Sequence, residues 1–473
     1  MVMQQLDLVY FSVTSNELPN LARAVETLAD QGVAIKLRAF SKIQLEQEQG
    51  RADFLRQAMQ AHAVVVTLMG GKTSFPVWDE LVEELQQARA SGKAPYFHVQ
   101  PTGANDEAWN SAGDYADGME QGHWQRLNKY YRHGGLANAC QFLRLLINAA
   151  LGAELSIDPP EIPPTEGIYH PDWPGSPDLK QSLTALDPAK PVIGLWFYQN
   201  LWVNRALKHI DALIREIEKQ GGQALPVFHY RFKDNVVGNK GSDYIIEHYF
   251  SRNGAALIDA LLSPMMFSLG MAAPEHQGLL ERLDVPVIQA VTTLQPLQQW
   301  RKSPQGLTAM DVTMSLAQPE FDGNLISAPV AAKQETRRDP ISGAALVEYT
   351  PIPDGVEQAV SLAMNWAKLR RKANQDKKVA IVFHHYPPRN DRIGCAAGLD
   401  SFASVYELLL RMVDEGYHLE TAYADGEELA QTIVGGMTGD RRWLTPDEMA
   451  RRAAAAAGPA EYETWHRALP QKV

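Results

Sequence analysis

The sequence predicts an α/β protein with tandem open parallel sheets, followed by the start of a third α/β unit and a helical C-terminal end. Apolar segments of strand length alternate with amphipathic segments of helix length, and this alternation begins three times along the chain. Strands that helices cover on both faces have this pattern. The 473 residues also correspond to about three domains of roughly 150 residues each. We expect the first two sheets to be of the flavodoxin-like or Rossmann-like kind.

The first predicted domain covers residues 1–153. Its helices are predicted from apolar residues at helical spacing, such as Leu18, Leu21 and Val25, and its strands from runs rich in β-branched and aromatic residues. Gly92 is predicted to end the third helix. The predicted strands are residues 6–13, 33–40, 63–71 and 94–100, and the predicted helices are residues 15–32, 51–63, 75–92 and 124–151.

A proline-rich linker is predicted over residues 154–190. Residues 155–191 contain nine of the 29 prolines, and proline removes the backbone donor that a strand ladder needs. We therefore expect this segment to lie outside both sheets as an irregular connection.

The second predicted domain covers residues 191–350, and an incomplete third α/β unit covers residues 351–473. One βαβ unit followed only by helices has too few strands for a stable sheet of its own. The third unit is therefore expected to be incomplete or to pack against something outside this chain. The predicted strands are residues 191–198, 223–230, 285–291, 377–387 and 418–424, with 255–262 ambiguous. The predicted helices are residues 203–222, 242–250, 356–373, 400–417, 426–434, 445–457 and 461–469.

The composition argues against several classes of protein. The chain has 44 Lys and Arg against 56 Asp and Glu, a net charge of −12, and it lacks the basic block typical of proteins that bind nucleic acid or anionic lipid. No apolar run approaches the roughly 18 residues that span a bilayer. The first residues lack the positively charged region and the cleavage site of a signal peptide. We therefore expect a cytoplasmic protein with no nucleic-acid and no membrane partner.

The two cysteines are too few for a disulfide scaffold or a Cys-built metal site. Cys140 lies in an apolar stripe with Leu143 and Ile147, which predicts a core position. Cys395 follows Gly394 in a loop and is expected to be exposed. No metal site is predicted in this chain.

Residues 69–74, MGGKTS, are similar to part of a phosphate-binding loop. The full motif GxxxxGK[ST] requires a glycine five residues before Gly71, and Val66 occupies that position. A strand followed by glycines and a helix start is still a place where an anion binds. An ordinary strand-to-helix turn explains the same residues. The sequence predicts that this chain alone does not bind ATP.

A candidate binding loop follows the first strand predicted in the third unit, because ligands of open α/β folds bind at the carboxyl ends of the strands. Arg392 offers a partner for a carboxylate, and the backbone N–H groups near Gly394 and Gly398 would add to it. Asp400 or Ser401 is placed to cap the next helix, and a plain capped loop is the alternative interpretation. Of two adjacent histidines in a strand, at most one faces a cleft. The candidate binding residues here are His384, His385, Arg392, Gly394, Gly398 and Asp400.

A second set of candidate binding residues follows the first strand of the second domain. Their amide and phenol groups are suited to orienting a large polar ligand. Since both this turn and the loop at residues 386–400 follow first strands of α/β units, we expect them to face a shared cleft. The residues of this set are Tyr198, Gln199, Asn200 and Asn204.

Glu320 is a weak candidate for a catalytic base. In the sequence QPEFDG, Glu320 and Asp322 come just before Gly323, and turn formation explains both acids equally well. A buried Glu320 would instead be suited to accept a proton.

The stretch SPMMFSLGMAAP offers a mobile apolar surface to a macrocycle through Met265, Met266 and Met271. Methionines that fill gaps in a core are the alternative.

Seven segments then stand in a recognisable order: GGLANACQFLRLL, EGIYHPDWPG, GLWFYQNLWVN, VPVIQAVTTLQPLQQW, LAQPEFDGNLISAP, VAIVFHHYPPRNDRIGCAAGLDSFASVYELLLRMVDEGY and EYETWHRALP. In this order they resemble the large subunit of cobaltochelatase (CobN) and the related H subunit of magnesium chelatase. The resemblance is collinear from about residue 65 to residue 473. Each segment alone is weak, whereas the ordered set is specific.

The resemblance implies a role in inserting a divalent metal into a tetrapyrrole. The CobN branch implies Co²⁺ and hydrogenobyrinic acid a,c-diamide as substrates in cobalamin biosynthesis, and the other branch implies Mg²⁺. ATP would be used by separate AAA+ ATPase subunits, which would be partners of this chain, as would the remainder of the large subunit. No cofactor is expected on this chain itself.

This sequence departs from the family pattern in ways that bear on its role. Family members are more than twice as long, and the sequence contains no GxHG motif, which belongs to the region associated with metal insertion. Tyr198 and Gln199 also stand where an Arg–Ser pair is usual. We therefore expect a fragment or a split piece of the large subunit that binds tetrapyrrole and is inactive alone. The alternatives are a non-catalytic corrinoid- or tetrapyrrole-binding protein and a flavodoxin-like nucleotide binder, which the failed phosphate loop disfavours.

Overall fold

A computed structural model describes residues 5–69, 71–102, 121–173, 178–230, 233, 238–272, 276–343 and 345–469. The chain divides into two compact units, Met1–Lys368 and Leu369–Val473. The α/β architecture predicted from the sequence is confirmed, since the first unit contains two sheets built mainly of parallel strands.

The first sheet has four parallel strands at the positions that the sequence predicts. They are β1 (Leu6–Ser12), β2 (Ile35–Ser41), β3 (Ala63–Leu68) and β4 (Tyr96–Pro101). Their order is β2-β1-β3-β4. All six residues of β3 are buried, as expected for a parallel strand with helices on both faces.

Among the described residues, six helices accompany this sheet. One apolar cluster joins α1 and α6 to one face, and a second joins α3 and α4 to the other. Gly92 has a φ of +71°, just after α4 ends, which agrees with the predicted helix end. The helices are α1 (Leu18–Asp30), α2 (Lys42–Leu45), α3 (Glu48–Ala58), α4 (Trp78–Ala90), α5 (Gln121–His133) and α6 (Gly135–Leu151).

The helical stretch predicted at residues 124–151 is two helices, which corrects the sequence expectation. The helix is interrupted between α5 and α6 at Gly134. The φ angle there is +64°, a conformation that only glycine adopts without strain. A Cβ at Gly134 would also lie 3.0 Å from Val203 Cγ1. The break lets the start of α6 approach the turn at residues 199–204 closely.

The second sheet has seven strands. They are β5 (Glu166–Ile168), β6 (Val192–Tyr198), β7 (Gln223–His229), β10 (Ala260–Ser263), β11 (Val287–Thr293), β12 (Leu325–Arg338) and β13 (Ala345–Pro351), while β8 (Ser251–Arg252) and β9 (Ala255–Ala256) form a separate hairpin. The order is β13-β12-β11-β10-β6-β7-β5, and only the two edge strands run antiparallel to their neighbours. The ambiguous segment 255–262 thus provides β9 and most of a central strand.

Apolar clusters cover both faces of this second sheet. One contains residues of α9 and α15, and the other contains the π-helical turn Ile246–Phe250 and the 3-10 turn Leu280–Leu283. The α-helices are α7 (Leu179–Thr184), α8 (Gln199–Val203), α9 (Lys208–Lys219), α10 (Ser242–Ile245), α11 (Leu269–Ala272), α12 (Leu297–Lys302), α13 (Ala309–Asp311), α14 (Gln318–Phe321) and α15 (Pro353–Arg371).

The expectation that the proline-rich linker lies outside both sheets is wrong. Residues 166–168, between the proline clusters, pair antiparallel with β7 as edge strand β5, where missing donors are tolerated. The segment before it is held along α6, because Asn138 Nδ2 donates to the carbonyl oxygen of Glu161 at 2.7 Å. Residues 174–177 of this segment lie outside the described residues.

The second compact unit is helical, and the strands predicted there at residues 377–387 and 418–424 are not formed. A strand is stable only where a neighbouring strand pairs with its backbone, and residues 369–469 contain two isolated bridges and no ladder. The helices are α16 (Ser401–Asp414), α17 (Gly426–Gly435), α18 (Pro446–Arg452) and α19 (Pro459–Ala468).

Candidate functional site

The predicted binding loop of the second unit closes on itself at Gly394. The Gly394 N–H donates to the carbonyl oxygen of His384 at 2.7 Å, and Ser401 Oγ donates to the carbonyl oxygen of Gly394. Gly394 has a φ of +65°, and a Cβ there would lie 2.8 Å from the Phe383 ring. Glycine is required for this packing. The prediction that the Gly394 N–H is free for a ligand is wrong, because the loop itself uses it.

Gly398 lies in the open part of the same loop. Its φ is +73°, and a Cβ built on it would meet no atom within 4 Å. Its backbone is therefore open to close approach by a ligand, as the sequence predicts for this position.

Arg392 presents an exposed guanidinium group on this loop. Its Nε lies 3.9 Å from Asp391 Oδ2, whereas Arg389 holds the same carboxylate more tightly through two hydrogen bonds of 2.9 and 2.8 Å. Those bonds from Arg389 lower the pKa of Asp391 below its ordinary value. Asp391 is therefore engaged mainly by Arg389, and Arg392 is placed to bind an external carboxylate.

Asp400 is the N-cap of α16. Its Oδ1 accepts a hydrogen bond of 2.9 Å from the Ala403 N–H, so the predicted capping role is confirmed. A capping carboxylate satisfies a helix N–H that would otherwise lack a partner. This contact explains Asp400 without a ligand.

His384 and His385 lie in different surroundings. His384 is exposed and His385 is half-buried, with a buried Nε2 that has no hydrogen-bond partner. The His385 ring packs against Gly439, where a Cβ would lie 2.9 Å from Nδ1. A glycine at position 439 leaves the space that this ring occupies.

Asp440 anchors the loop, and no pattern in the sequence indicates this role. Its Oδ2 accepts from the Asn390 N–H at 3.1 Å and from Arg442 Nη2 at 2.7 Å. The hydrogen bonds from Arg442 keep the pKa of Asp440 well below its ordinary value. The loop is thus fixed by a charged contact 50 residues further along the chain.

The candidate residues after β6 are mostly engaged within the protein. Tyr198 Oη donates to the carbonyl oxygen of Met266 at 2.9 Å, and Gln199 is buried with Nε2 donating to Pro164. Asn204 Oδ1 accepts from Asn20. Of these four side chains, that of Asn200 is exposed and stays a candidate for contact with a ligand.

A polar seam, formed by Glu17, Asn20, Asn204 and Lys333, joins the two sheets of the first unit. Asn20 Nδ2 donates to Asn204 Oδ1 at 3.1 Å, and Lys333 Nζ donates to the carbonyl oxygen of Thr14 at 2.5 Å. Glu17 and both asparagines also lie beside a cavity of about 40 Å³. The seam lies at the carboxyl end of β1, which is a usual location for ligands in α/β folds.

Burial shifts the pKa values of ionisable side chains at and beside the seam. Burial lowers the pKa of Lys333 to about 8, against a smaller opposing effect of Glu17. Burial and the Glu17 charge raise the pKa of Tyr10 and of Tyr131 well above the usual value. Near neutral pH Lys333 is therefore still mostly protonated, and keeping this charge in a buried place costs desolvation free energy.

We expect Lys333 to make the first unit more stable as the pH rises above about 8. Between the folded pKa of about 8 and the value near 10.4 of an exposed lysine, the unfolded chain holds a proton that the folded chain has released. The free energy of unfolding then increases with pH, by about 2 kcal/mol in total after allowance for partial exposure. Urea unfolding followed by tryptophan fluorescence at several pH values measures this increase.

Lys333→Met provides the control, because it removes the titrating group and keeps the length of the side chain. The buried tyrosines act in the opposite direction above about pH 10, and the difference between wild type and Lys333→Met cancels their effect. Parallel stability profiles for the two proteins would contradict the expected role of Lys333.

The interpretation of Glu320 as a buried base is wrong, because the residue is exposed in α14. Asp322 has a structural role instead. Its carboxylate accepts hydrogen bonds from Ser268 Oγ at 2.7 Å and from the Leu269 N–H at 2.6 Å. Gly323, with a φ of +85°, completes the turn that the alternative interpretation predicted.

The three methionines of residues 263–274 do not form one surface. Met265 is buried in the core of the second sheet, in agreement with the gap-filling alternative. Met266 is half-buried, and Met271 is exposed. Residues 273 and 274 of this stretch lie outside the described residues.

The phosphate-loop-like segment forms a short 3-10 turn, Lys72–Ser74. Lys72 Nζ lies 4.0 Å from Asp79 Oδ1, and Ser74 Oγ accepts from the Met69 N–H at 3.1 Å. Gly70 lies outside the described residues. The lysine of the motif, Lys72, therefore has a contact within the protein, whereas Thr73, at the hydroxyl position of the motif, is exposed.

We expect this chain alone to bind no ATP, since Val66 replaces the first glycine of the motif and Lys72 faces a carboxylate. Isothermal titration with Mg-ATP is expected to give no heat of binding. Saturable binding with a micromolar Kd would contradict this and favour the nucleotide-binding alternative.

Cys140 is half-buried against the first core and Cys395 is exposed, as predicted. Burial raises the pKa of the Cys140 thiol, so this thiol is held in its protonated form. Across the described residues, no three His, Cys, Asp or Glu side chains gather as a metal site would require. None of the described helices has both the length and the apolar character needed to cross a membrane.

Residues 128–473 match the family model described as CobN/Magnesium Chelatase. The chain belongs to this family. The aerobic cobaltochelatase subunit CobN of Pseudomonas aeruginosa is 28% identical over 93% of this chain and 34% of its own length. The chloroplastic magnesium-chelatase subunit ChlH of Oryza sativa is 28% identical over 65% of this chain and 23% of its own length. The family resemblance predicted from the ordered segments is thereby confirmed.

A solved structure has the same fold. The catalytic subunit of cobaltochelatase from Mycobacterium tuberculosis matches 91% of this chain and 33% of its own, with a TM-score of 0.52 and 24% identity. The chain therefore spans only about a quarter to two fifths of the length of these relatives.

Proposed function

We propose that this chain is a tetrapyrrole-binding part of a cobaltochelatase-type large subunit in the cytoplasm. In the proposed reaction, AAA+ partner subunits hydrolyse ATP while Co²⁺ enters hydrogenobyrinic acid a,c-diamide. The chain itself supplies binding surface and contacts with the rest of the enzyme, and it is inactive alone. Family membership over residues 128–473 supports this role.

The extent of the matches favours cobalt over magnesium. Two CobN relatives match 93% and 99% of the chain, whereas two magnesium-chelatase relatives match 65% and 66%. Relatives of the cobalt branch therefore match more of this chain than relatives of the magnesium branch do. This is the observation on which the choice of metal rests, and a magnesium chelatase H-like subunit is the second candidate.

The chemistry of the exposed groups suits an acidic macrocycle. Metal insertion requires loss of two pyrrolic protons, removal of water from the metal and a closed cavity. A corrinoid acid carries several carboxylates, and the exposed Arg392 guanidinium is suited to bind one of them. Gly398, in the same loop, permits close approach of the backbone. We propose that Arg392 and Gly398 contact the tetrapyrrole.

Titration with two tetrapyrroles tests the proposal. Ten tryptophans, among them the exposed Trp443 in the second unit, report binding by fluorescence quenching. We expect saturable quenching by hydrogenobyrinic acid a,c-diamide and weaker quenching by protoporphyrin. The opposite preference would support the magnesium-type alternative. No saturable quenching by either compound would refute tetrapyrrole binding by this chain.

A further inference from the structure

The second compact unit, residues 369–473, has too little buried apolar surface for a unit of its size. Among its described residues, only Ile393 and Leu429 are buried hydrophobics. Helix α16 has no buried residue, although Leu408, Leu410 and Val413 are apolar and each is more than two-fifths exposed. Large apolar side chains exposed in this number suggest an interface with another polypeptide.

Residues 378–383, KVAIVF, are an exposed apolar segment of this unit. Val379 and Val382 are 57% and 89% exposed, and Ile381 is 38% exposed. A continuous run of β-branched residues is typical of an interior parallel strand with both faces covered. The sequence pattern is therefore that of a central strand, but in this structure its apolar side chains are exposed to solvent.

The backbone of this segment is also unpaired. Residues 378–383 and 418–424 make no backbone–backbone hydrogen bond to any other described residue. Backbone donors and acceptors that are buried without partners are costly, so these two segments become buried only where strands pair with them. Unpaired strand-like segments of this kind are templates for added strands.

One face of the segment already has its helix. The Phe383 ring stacks on Phe402 of α16 with 4.8 Å between ring centroids, as in a βα unit. Val382, the next residue back, points to the opposite face of an extended chain and is nearly fully exposed. The missing elements are therefore neighbouring strands and a cover for the second face.

We propose that residues 378–383 and 418–424 are strands of an α/β sheet completed by the polypeptide equivalent to the two thirds of the CobN relatives that this chain does not cover. This inference rests on the proposed function, because it takes its partner from that large subunit. The relatives are about three times the length of this chain, which supplies ample sequence for further strands. The family match continues through both segments, so both belong to the part of the chain that the family shares.

Hydrogen exchange by mass spectrometry tests the pairing directly. The probe is the part of Pseudomonas aeruginosa CobN that this chain does not match, coexpressed with the 473-residue chain and purified as a complex. In the chain alone, amides of residues 378–383 are expected to exchange rapidly. In the complex, we expect their exchange to slow by about 100-fold, because a formed strand ladder opens rarely.

Val382→Asp is the matching variant, since position 382 is nearly fully exposed and the change leaves the fold of the free chain unaltered, as circular dichroism will verify. We expect it to abolish the complex in size-exclusion chromatography, because the charge would be buried without a partner. Val379→Asp serves as a second variant. Phe321→Asp, at an exposed apolar position of the first unit, is the control and is expected to leave the complex intact.

A complex that forms without protection of residues 378–383, or that tolerates Val382→Asp, would overturn the inference. Protection that depends on the concentration of the chain alone would show instead that a second copy occupies these segments. The tetrapyrrole titration is an independent test. Protection of residues 378–383 from exchange without tryptophan quenching would refute only the proposed tetrapyrrole binding. Quenching by a tetrapyrrole without that protection would refute only the strand pairing.

Discussion

Replacing Gly355 with Ala is expected to lower the free energy of unfolding of the first compact unit by about 3 kcal/mol. Gly355 lies in the first turn of α15, and a Cβ there would lie 1.9 Å from the carbonyl oxygen of Pro329 in β12. A strand backbone does not move aside as a flexible side chain does, so the helix has to shift. Helix α15 buries Val356, Ala359 and Val360 against the second sheet, and the shift would disturb all of these contacts.

Gly122→Ala provides the control for this prediction. Gly122 lies in α5 of the same unit, and a Cβ there would meet no atom within 4 Å. Alanine is the better helix former, so this change is expected to be neutral or to stabilise by up to about 1 kcal/mol. Urea unfolding of both variants measures the difference. Equal stability of Gly355→Ala and wild type would mean that α15 does not pack on the sheet as closely as described.

Replacing Arg392 with Ala is expected to weaken tetrapyrrole binding by about 10- to 150-fold, the range for a charge-assisted hydrogen bond. The side chain is about half exposed, and its contacts are Asp391 at 3.9 Å and Cys395 Sγ at 3.9 Å. Such peripheral contacts contribute little to the fold, so the unfolding transition should stay unchanged. Fluorescence titration with hydrogenobyrinic acid a,c-diamide measures the affinity.

Arg411→Ala is the matched control, because it removes one exposed positive charge from the same unit. Arg411 pairs with Glu415 along α16, and its loss is expected to change tetrapyrrole affinity less than about twofold. If Arg392→Ala and Arg411→Ala bind alike, the loop at residues 386–400 is only a capped turn, as the alternative interpretation of Asp400 holds.

The sheets of the first unit were predictable because their signal is local. A run such as residues 63–68 is apolar throughout and every residue is buried, so its burial depends little on which neighbours it has. The segment 378–383 carries the same signal and forms no strand. The sequence pattern indicates that a segment is able to form a strand. A strand also needs a neighbouring strand to pair with, and the described residues of the second unit offer none.

The polar seam was not predictable from the sequence. Asn20 meets Asn204, which is 184 residues away, and Lys333 meets Thr14 across 319 residues, and no local pattern records such pairs. The prediction of Glu320 as a buried base was wrong for a related reason. The spacing of the two acids predicts a turn, but it does not tell which acid is buried. Contacts with residues 268–270 bind the Asp322 carboxylate and leave Glu320 exposed.

Cobalt insertion is the measurement that most directly decides whether this chain works in a chelatase. The assay combines the chain, the polypeptide equivalent to the rest of the large subunit, the AAA+ ATPase subunits, hydrogenobyrinic acid a,c-diamide, Co²⁺ and ATP, and follows the absorbance of the metallated macrocycle. We expect insertion only when the chain is present, and a clear loss with Arg392→Ala at limiting tetrapyrrole. Insertion at an unchanged rate without the chain would contradict a role in tetrapyrrole metallation.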